Sequence, residues 1–321
     1  MVEGTELAQK HPEWLLRPRE DDGSYSYTSR TLLNLGDKDC CDHMINVIDR
    51  VIKEGGINIY RQDFNMEPCL RWEENEAEDR IGAVENQHIQ GYYRLWDTLL
   101  ERNPGLWIDA CAGGGRRNDL ETMRRSVPLH YTDIGYGDHP AKQTQHRLMF
   151  EWIPYFRAHA RNWDDPVTGE YAWRKDQPVD DYAFYVAMTP ALTDTLHHEA
   201  DETQFARSRK MQRIWRQAAD LMLRCDYYPL TPSNSSLEEF YAMAFYDEDT
   251  GEGFLNVVSN NRNEKPTFTA VLDMLEADAV YTLTEAESGK SICRTGKDLA
   301  QGFDVTLPRR SGVVYFLRRQ A

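Results

Sequence analysis

Long hydrophobic runs are missing from this sequence. No stretch approaches the roughly 20 consecutive apolar residues of a membrane helix, so a spanning segment is excluded and a soluble chain is expected. The start, Met1-Val2-Glu3-Gly4-Thr5-Glu6, has no basic segment followed by an apolar one. No secretory signal is visible, and the expected compartment is the cytoplasm. Cysteine is sparse. Cys40, Cys41, Cys69, Cys111, Cys225 and Cys293 form no C-x-x-C pair, and adjacent Cys40-Cys41 is a poor start for a disulfide framework, so free thiols are expected. Positive charge is also short: the net charge of −16 repels nucleic acid phosphates and anionic lipid, and no basic cluster is long enough to override it. Nucleic acid and membrane surfaces are thereby excluded as partners, in favour of a neutral or cationic ligand. There is no internal repeat and no low-complexity segment beyond the turn-like Ser233-Asn234-Ser235-Ser236.

What is present suffices for a buried core. At 321 residues, with 40% hydrophobic residues, 17 Tyr and 8 Trp, the chain fits one large domain and one small one. Met44, Val47, Ile48, Val51 and Ile52 recur at helical spacing up to Gly55-Gly56, which predicts an amphipathic helix with that face inward. A strand-like run from Ile57 to Asp63 follows. A second helix presents Tyr92, Leu95, Trp96, Leu99 and Leu100 and stops at Asn103-Pro104-Gly105, before another strand from Leu106 to Cys111. A helix near Leu120 to Arg125 then leads to a strand candidate from Val127 to Thr132, ending at Asp133. Strands are also expected at Met149 to Phe156 and Tyr182 to Met188, and a helix at Phe205 to Leu223. Strands alternating with helices predict an α/β chain with its site at the strand C-terminal ends. From about residue 225 the texture changes. Runs at Phe254–Val258, Ala279–Leu283, Phe303–Leu307 and Val313–Leu317, separated by turn residues, predict a small antiparallel β-sandwich over 225–321.

Two carboxylates, Asp63 and Asp133, end predicted strands and flank the run Cys111-Ala112-Gly113-Gly114-Gly115-Arg116-Arg117-Asn118-Asp119. Retaining hydrolysis of a glycosidic bond needs two carboxyl groups about 5 to 5.5 Å apart, one to attack the anomeric carbon and one to protonate the leaving oxygen. The Gly run reads as a tight strand-to-helix turn and lacks the Lys-Ser/Thr ending of a phosphate loop. His197-His198 with Glu199 fits no standard metal spacing, so neither a metal nor a cofactor is expected.

Tyr60-Arg61-Gln62-Asp63-Phe64-Asn65, Asp109 to Asp119, and Pro128-Leu129-His130-Tyr131-Thr132-Asp133 resemble three successive motifs of the α-galactosidases of glycoside hydrolase family 36. Gly4-Thr5-Glu6-Leu7, His11 to Leu16 and Asp226-Tyr227-Tyr228-Pro229-Leu230 extend the resemblance over essentially the whole chain. It implies a partial TIM (β/α)8 barrel over 1–224, lacking its first strands, followed by the sandwich. It also implies Asp63 as nucleophile, Asp133 as acid/base, and Arg61, Asn65, Cys111, Gly114 and Arg117 around an α-linked galactoside.

The sequence departs from the family at Arg61-Gln62, where the family has Lys-Trp, and at Tyr136, where it has a second Asp; Asp138 is the fallback acid. Arg in place of a sugar-gripping Lys leaves the exact sugar open, and an α-galactosaminidase or α-N-acetylgalactosaminidase is the alternative within the same chemistry. The family's earlier barrel strands have no counterpart before Met1. A barrel with open edges predicts a homo-oligomer or association with a missing N-terminal half, and weak or no activity alone. A non-catalytic carbohydrate-binding remnant is the alternative from another class.

Overall fold

The computed structural model describes residues 4–17, 31–133, 139–160, 176, 178–233 and 236–320. Asn234 and Ser235 of the expected turn, Tyr136, and the fallback acid Asp138 lie outside them. The chain divides into two compact units, Met1–Tyr131 and Thr132–Ala321. Among the described residues, no helix is long and apolar enough to cross a membrane.

The first unit runs α1 Glu6–Lys10, β1 Leu15–Leu16, β2 Leu32–Leu33, α2 Lys38–Gly55, β3 Ile59–Gln62, α3 Cys69–Glu73, α4 Ala83–Arg102, β4 Trp107–Ala110 and α5 Leu120–Met123. Helix α2 starts where the Asp37 carboxylate accepts the Cys40 N–H at 2.9 Å, and it ends at Gly56, whose φ of +59° a residue with a side chain rarely adopts. Its buried stripe is Cys40, Cys41, Ile45, Asp49 and Ile52, while Val51 is half exposed. The expected face is thus rotated. Cys41 behaves as a small apolar residue and its thiol donates to the Gly91 carbonyl at 3.3 Å, so the helix turns that side inward. Helix α4 lays Tyr92, Leu95, Trp96 and Leu99 against Ile45 and Ile52 of α2 and Ile108 and Ala110 of β4.

Strands β3 and β4 pair in parallel, with Arg61 opposite Asp109 and Gln62 opposite Ala110. The strand expected from Val127 to Thr132 reduces to one parallel bridge between Val127 and Asp109. Val127 gives its N–H to Ile108 and accepts from Ala110; the next residue, Pro128, has no N–H to continue the ladder.

The second unit runs α6 His139–Phe150, β5 Arg157–His159, α7 Asp181–Val186, β6 Ala191–Thr193 and α8 Glu202–Met222. There follow β7 Asp226–Pro229, β8 Phe240–Asp247, β9 Glu252–Ser259, β10 Thr267–Ala270, β11 Val280–Glu285, β12 Ser291–Thr295, α9 Gly296–Gln301, β13 Phe303–Thr306 and β14 Ser311–Arg319. The expected strand over Met149 to Phe156 is instead the end of α6 and the turn after it. Tyr182 to Val186 is helical, not extended. A short run buried on every side carries no period, and Tyr182, Ala183, Phe184, Tyr185 and Val186 are all buried. The strands sit just beyond: β5 pairs in parallel with β6.

An antiparallel sheet in the order β12-β11-β14-β9-β8-β7 dominates this unit. Tyr241, Met243, Phe245, Phe254 and Val258 pack one of its faces on Phe184, Met211, Ile214 and Ala218 of α7 and α8. Phe240, Ala242, Tyr246, Leu255 and Val257 pack the other on Ala270, Leu272 and Val305, in and beside the β10–β13 pair. Covered on both faces, β8 reads as an unbroken apolar run, Phe240-Tyr241-Ala242-Met243-Ala244-Phe245-Tyr246.

Candidate active site

Side chains alternate across a strand, and β3 uses both of its faces. Tyr60 and Gln62 face the helix layer, where the Trp96 indole N–H and the Tyr60 hydroxyl donate to Gln62 Oε1 at 2.9 and 3.2 Å. The departure at Gln62 therefore lies behind the strand, turned away from Arg61. On the other face, Arg61 Nη1 donates to Asp109 Oδ2 at 2.5 Å, and its Nη2 stands 3.7 Å from Asp63 Oδ2.

Asp63 is the first residue past β3. Its Oδ1 accepts the Phe64 N–H at 2.7 Å. Partial burial pushes its carboxyl pKa up. The Phe64 N–H, the Cys111 thiol, the Asn65 side chain and the Arg61 charge more than offset this and hold it below the usual range, so the group is a carboxylate at neutral pH. Cys111 occupies the corresponding place after β4; it is buried, and its backbone N–H donates to the Gln62 carbonyl at 3.0 Å.

Gly113, Gly114 and Gly115 have φ of +50°, +79° and +87°, so the run is a left-handed turn that a Cβ would strain. It delivers Arg116 to an ion pair with Glu67. Arg117 stacks on Tyr92 and Phe64, its guanidinium carbon 4.5 and 5.2 Å from the ring centres, which clamps the loop after Asp63 onto α4. Asp119 caps α5, accepting from the Thr122 N–H at 2.9 Å and hydroxyl at 2.7 Å.

The unit thus brings together Arg61, Asp63, Asn65 and Cys111, with Arg117 on the same loop. Asp133 belongs to the second unit, as an exposed residue at a bend. Asp109, to which sequence reasoning gave no role, is the buried partner of Arg61 and also accepts the Leu129 N–H at 3.1 Å. A signal for it existed. It is the one charged residue in the apolar run Leu106 to Cys111, two before the cysteine and so on the same face. Among the described residues, no cluster of His, Cys, Asp or Glu is placed to hold a metal ion.

Beside Asp63, a cavity of about 280 Å³ is lined by Gln62, Asn65 and mainly apolar residues including Leu32, Met44 and Tyr92. His88 lines it as well, buried against Trp72, with no hydrogen-bond partner for its Nδ1 among the described residues. Burial, then the charge of Arg117, pushes the imidazole down to about 4. The unfolded chain, with an ordinary histidine near 6.5, binds this proton before the folded one does, so stability falls as pH drops from 6.5 towards 4. The expected loss from this residue is about 3 kcal/mol at pH 4. Urea unfolding of the wild type and His88→Phe at the two pH values checks it: the variant should lose correspondingly less, and equal losses would contradict the assignment.

Residues 1–133 match the family model described as Melibiase. The α-galactosidase AgaA of Geobacillus stearothermophilus is 28% identical over 119 residues, 36% of this chain and 16% of that protein. The bifunctional α-galactosidase/sucrose kinase AgaSK of Mediterraneibacter gnavus is 22% identical over 296 residues, 90% of this chain and 29% of its own length. Among solved structures, AgaA superposes with a TM-score of 0.76 at 20% identity, covering 100% of this chain and 43% of that one. The chain therefore spans less than half the length of these relatives.

Proposed function

We propose that this chain, a relative of the α-galactosidases of glycoside hydrolase family 36, carries the two carboxylates of a retaining hydrolase of α-galactosides. The observation that carries the reading is the placement of Asp63: a carboxylate one residue past a strand end, 3.7 Å from the Arg61 guanidinium, at the position where the family motif has its nucleophile. In the first step a carboxylate oxygen of Asp63 attacks the anomeric carbon, the glycosidic C–O bond breaks, and Asp133 gives its proton to the departing oxygen. In the second, Asp133 takes a proton from water, whose oxygen displaces Asp63 from the same carbon. Two displacements restore the α configuration. Cys111, Asn65, Gly114 and Arg117 line the sugar in this reading. The β3–β4 and β5–β6 parallel pairs are parts of a (β/α)8 barrel over 1–224, and 225–321 is its C-terminal sandwich. The remaining barrel strands come from a second chain or from sequence outside this one.

Variants of AgaA have been crystallised with raffinose and with stachyose, which nominates α-galactosyl oligosaccharides as substrates here. The test is a panel of p-nitrophenyl glycosides and raffinose, given to the chain alone and mixed with the part of AgaA that precedes the aligned region, with the released sugar read by proton NMR. Cleavage of the α-galactosides with α-galactose appearing first is expected. First release of the β-anomer, preference for the α-galactosaminides, or no cleavage in either condition would overturn the reading.

A further inference from the structure

We propose that Asp109 is a positioning residue that holds the Arg61 guanidinium off the Asp63 carboxylate. The inference rests on the reading of Asp63 as the nucleophile and goes beyond it. Arg61 stands between two acids at unequal distances. Its Nη1 is hydrogen-bonded to Asp109 at 2.5 Å, while its Nη2 is 3.7 Å from Asp63, outside hydrogen-bond range. The two acids also differ in exposure: the Asp109 side chain is 5% exposed, against 37% for Asp63. Asp109 is fixed independently of Arg61, by the Val127 bridge at its backbone and by the Leu129 N–H on its other carboxylate oxygen.

The consequence is chemical. A carboxylate gripped by a forked guanidinium has its lone pairs engaged in charge-assisted hydrogen bonds and is a poor nucleophile. A positive charge nearly 4 Å away still favours the ionised form through space and leaves the attacking oxygen free. Arg suits this arrangement because its planar fork offers one nitrogen to each acid. Among the described residues of this unit, Arg61 and Cys111 act on Asp63, with Asp109 behind Arg61.

The test is the titration of Asp63 itself, followed by carboxyl carbon NMR in the wild type, Asp109→Asn and Arg61→Gln. Freed from Asp109, Arg61 closes on Asp63, so Asp109→Asn should lower the Asp63 midpoint by at least about half a pH unit, and Arg61→Gln should raise it. The acid limb of the pH profile on p-nitrophenyl α-galactoside should move in the same directions. In Asp109→Asn, kcat should fall about tenfold with KM nearly unchanged. A midpoint in Asp109→Asn that stays put or rises overturns the proposal. Should Asp109→Asn fail to fold, the wild type decides: Arg61 guanidinium protons that remain slow to exchange while Asp63 is protonated support Asp109 as the anchor, and loss of that protection defeats it. None of the NMR readings requires turnover. Titrations that behave as stated in a chain cleaving no α-galactoside would defeat the hydrolase reading and leave the positioning role standing.

Discussion

Asp63→Asn should reduce hydrolysis of p-nitrophenyl α-galactoside by at least about a thousandfold. The amide is nearly isosteric and can still accept the Phe64 N–H and sit beside Arg61, so the change removes the attacking oxygen's charge and little else. The loss should therefore appear in kcat, with the urea midpoint almost unchanged. Asp133→Asn makes the complementary prediction. Nitrophenolate leaves without a proton, whereas the glucose O6 of the sucrose released from raffinose does not. Formation of the glycosyl-enzyme should thus survive in Asp133→Asn with the nitrophenyl substrate and be lost with raffinose. Added azide, which needs no general base, should restore turnover in Asp133→Asn alone. Equal losses on both substrates would show that Asp133 is not the acid, and full activity in Asp63→Asn would end the case for the nucleophile.

The placement of Asp63 was legible in the sequence because it depends on local order. Asp63 closes a short strand-like run that ends in polar residues, and the structure ends β3 one residue before it. The Gly113 to Gly115 turn was equally plain, since three successive glycines have few uses other than left-handed backbone. Asp109 was not legible as the partner of Arg61, because the pairing depends on register: a slip of one residue between β3 and β4 would have turned it to the helix layer.

The same distinction explains the secondary-structure outcomes. Helices α2 and α4 announced themselves by period and by their stops, α8 lies over the helix expected from Phe205 to Leu223, and the runs at Phe254, Ala279, Phe303 and Val313 coincide with β9, β11, β13 and β14. Tyr182 to Val186 gave no period because all five residues are buried, Met149 to Phe156 spans a helix end and the turn after it, and the segments that do pair, β5 and β6, are three residues each. Even in α2, where the period was right, the identity of the inward face was decided by a contact 50 residues away, the Cys41 thiol on the Gly91 carbonyl.

That contact marks the place where Gly91→Ala should do its damage. Glycine inside a helix costs about 1 kcal/mol relative to alanine, so at an unconstrained position the substitution would stabilise the chain. Here a Cβ on residue 91 would lie 1.8 Å from the Leu35 carbonyl oxygen and 2.5 Å from its carbon. Both are backbone atoms and cannot rotate aside, so α4 must move away from the segment that leads into α2. The displacement would loosen Tyr92 and Trp96, which carry Arg117 and Gln62 respectively, and through them the loop that bears Asp63. The net effect expected is a destabilisation of about 3 kcal/mol or more, opposite in sign to the helix propensity. Urea unfolding measures it. Hydrogen exchange should locate the loosened amides in α2, α4 and the turn around Leu35, while the sheet from β7 to β14 keeps its protection. A variant as stable as the wild type would mean that α4 does not approach Leu35 this closely, and that Asp63 is held by something other than the helix beneath it.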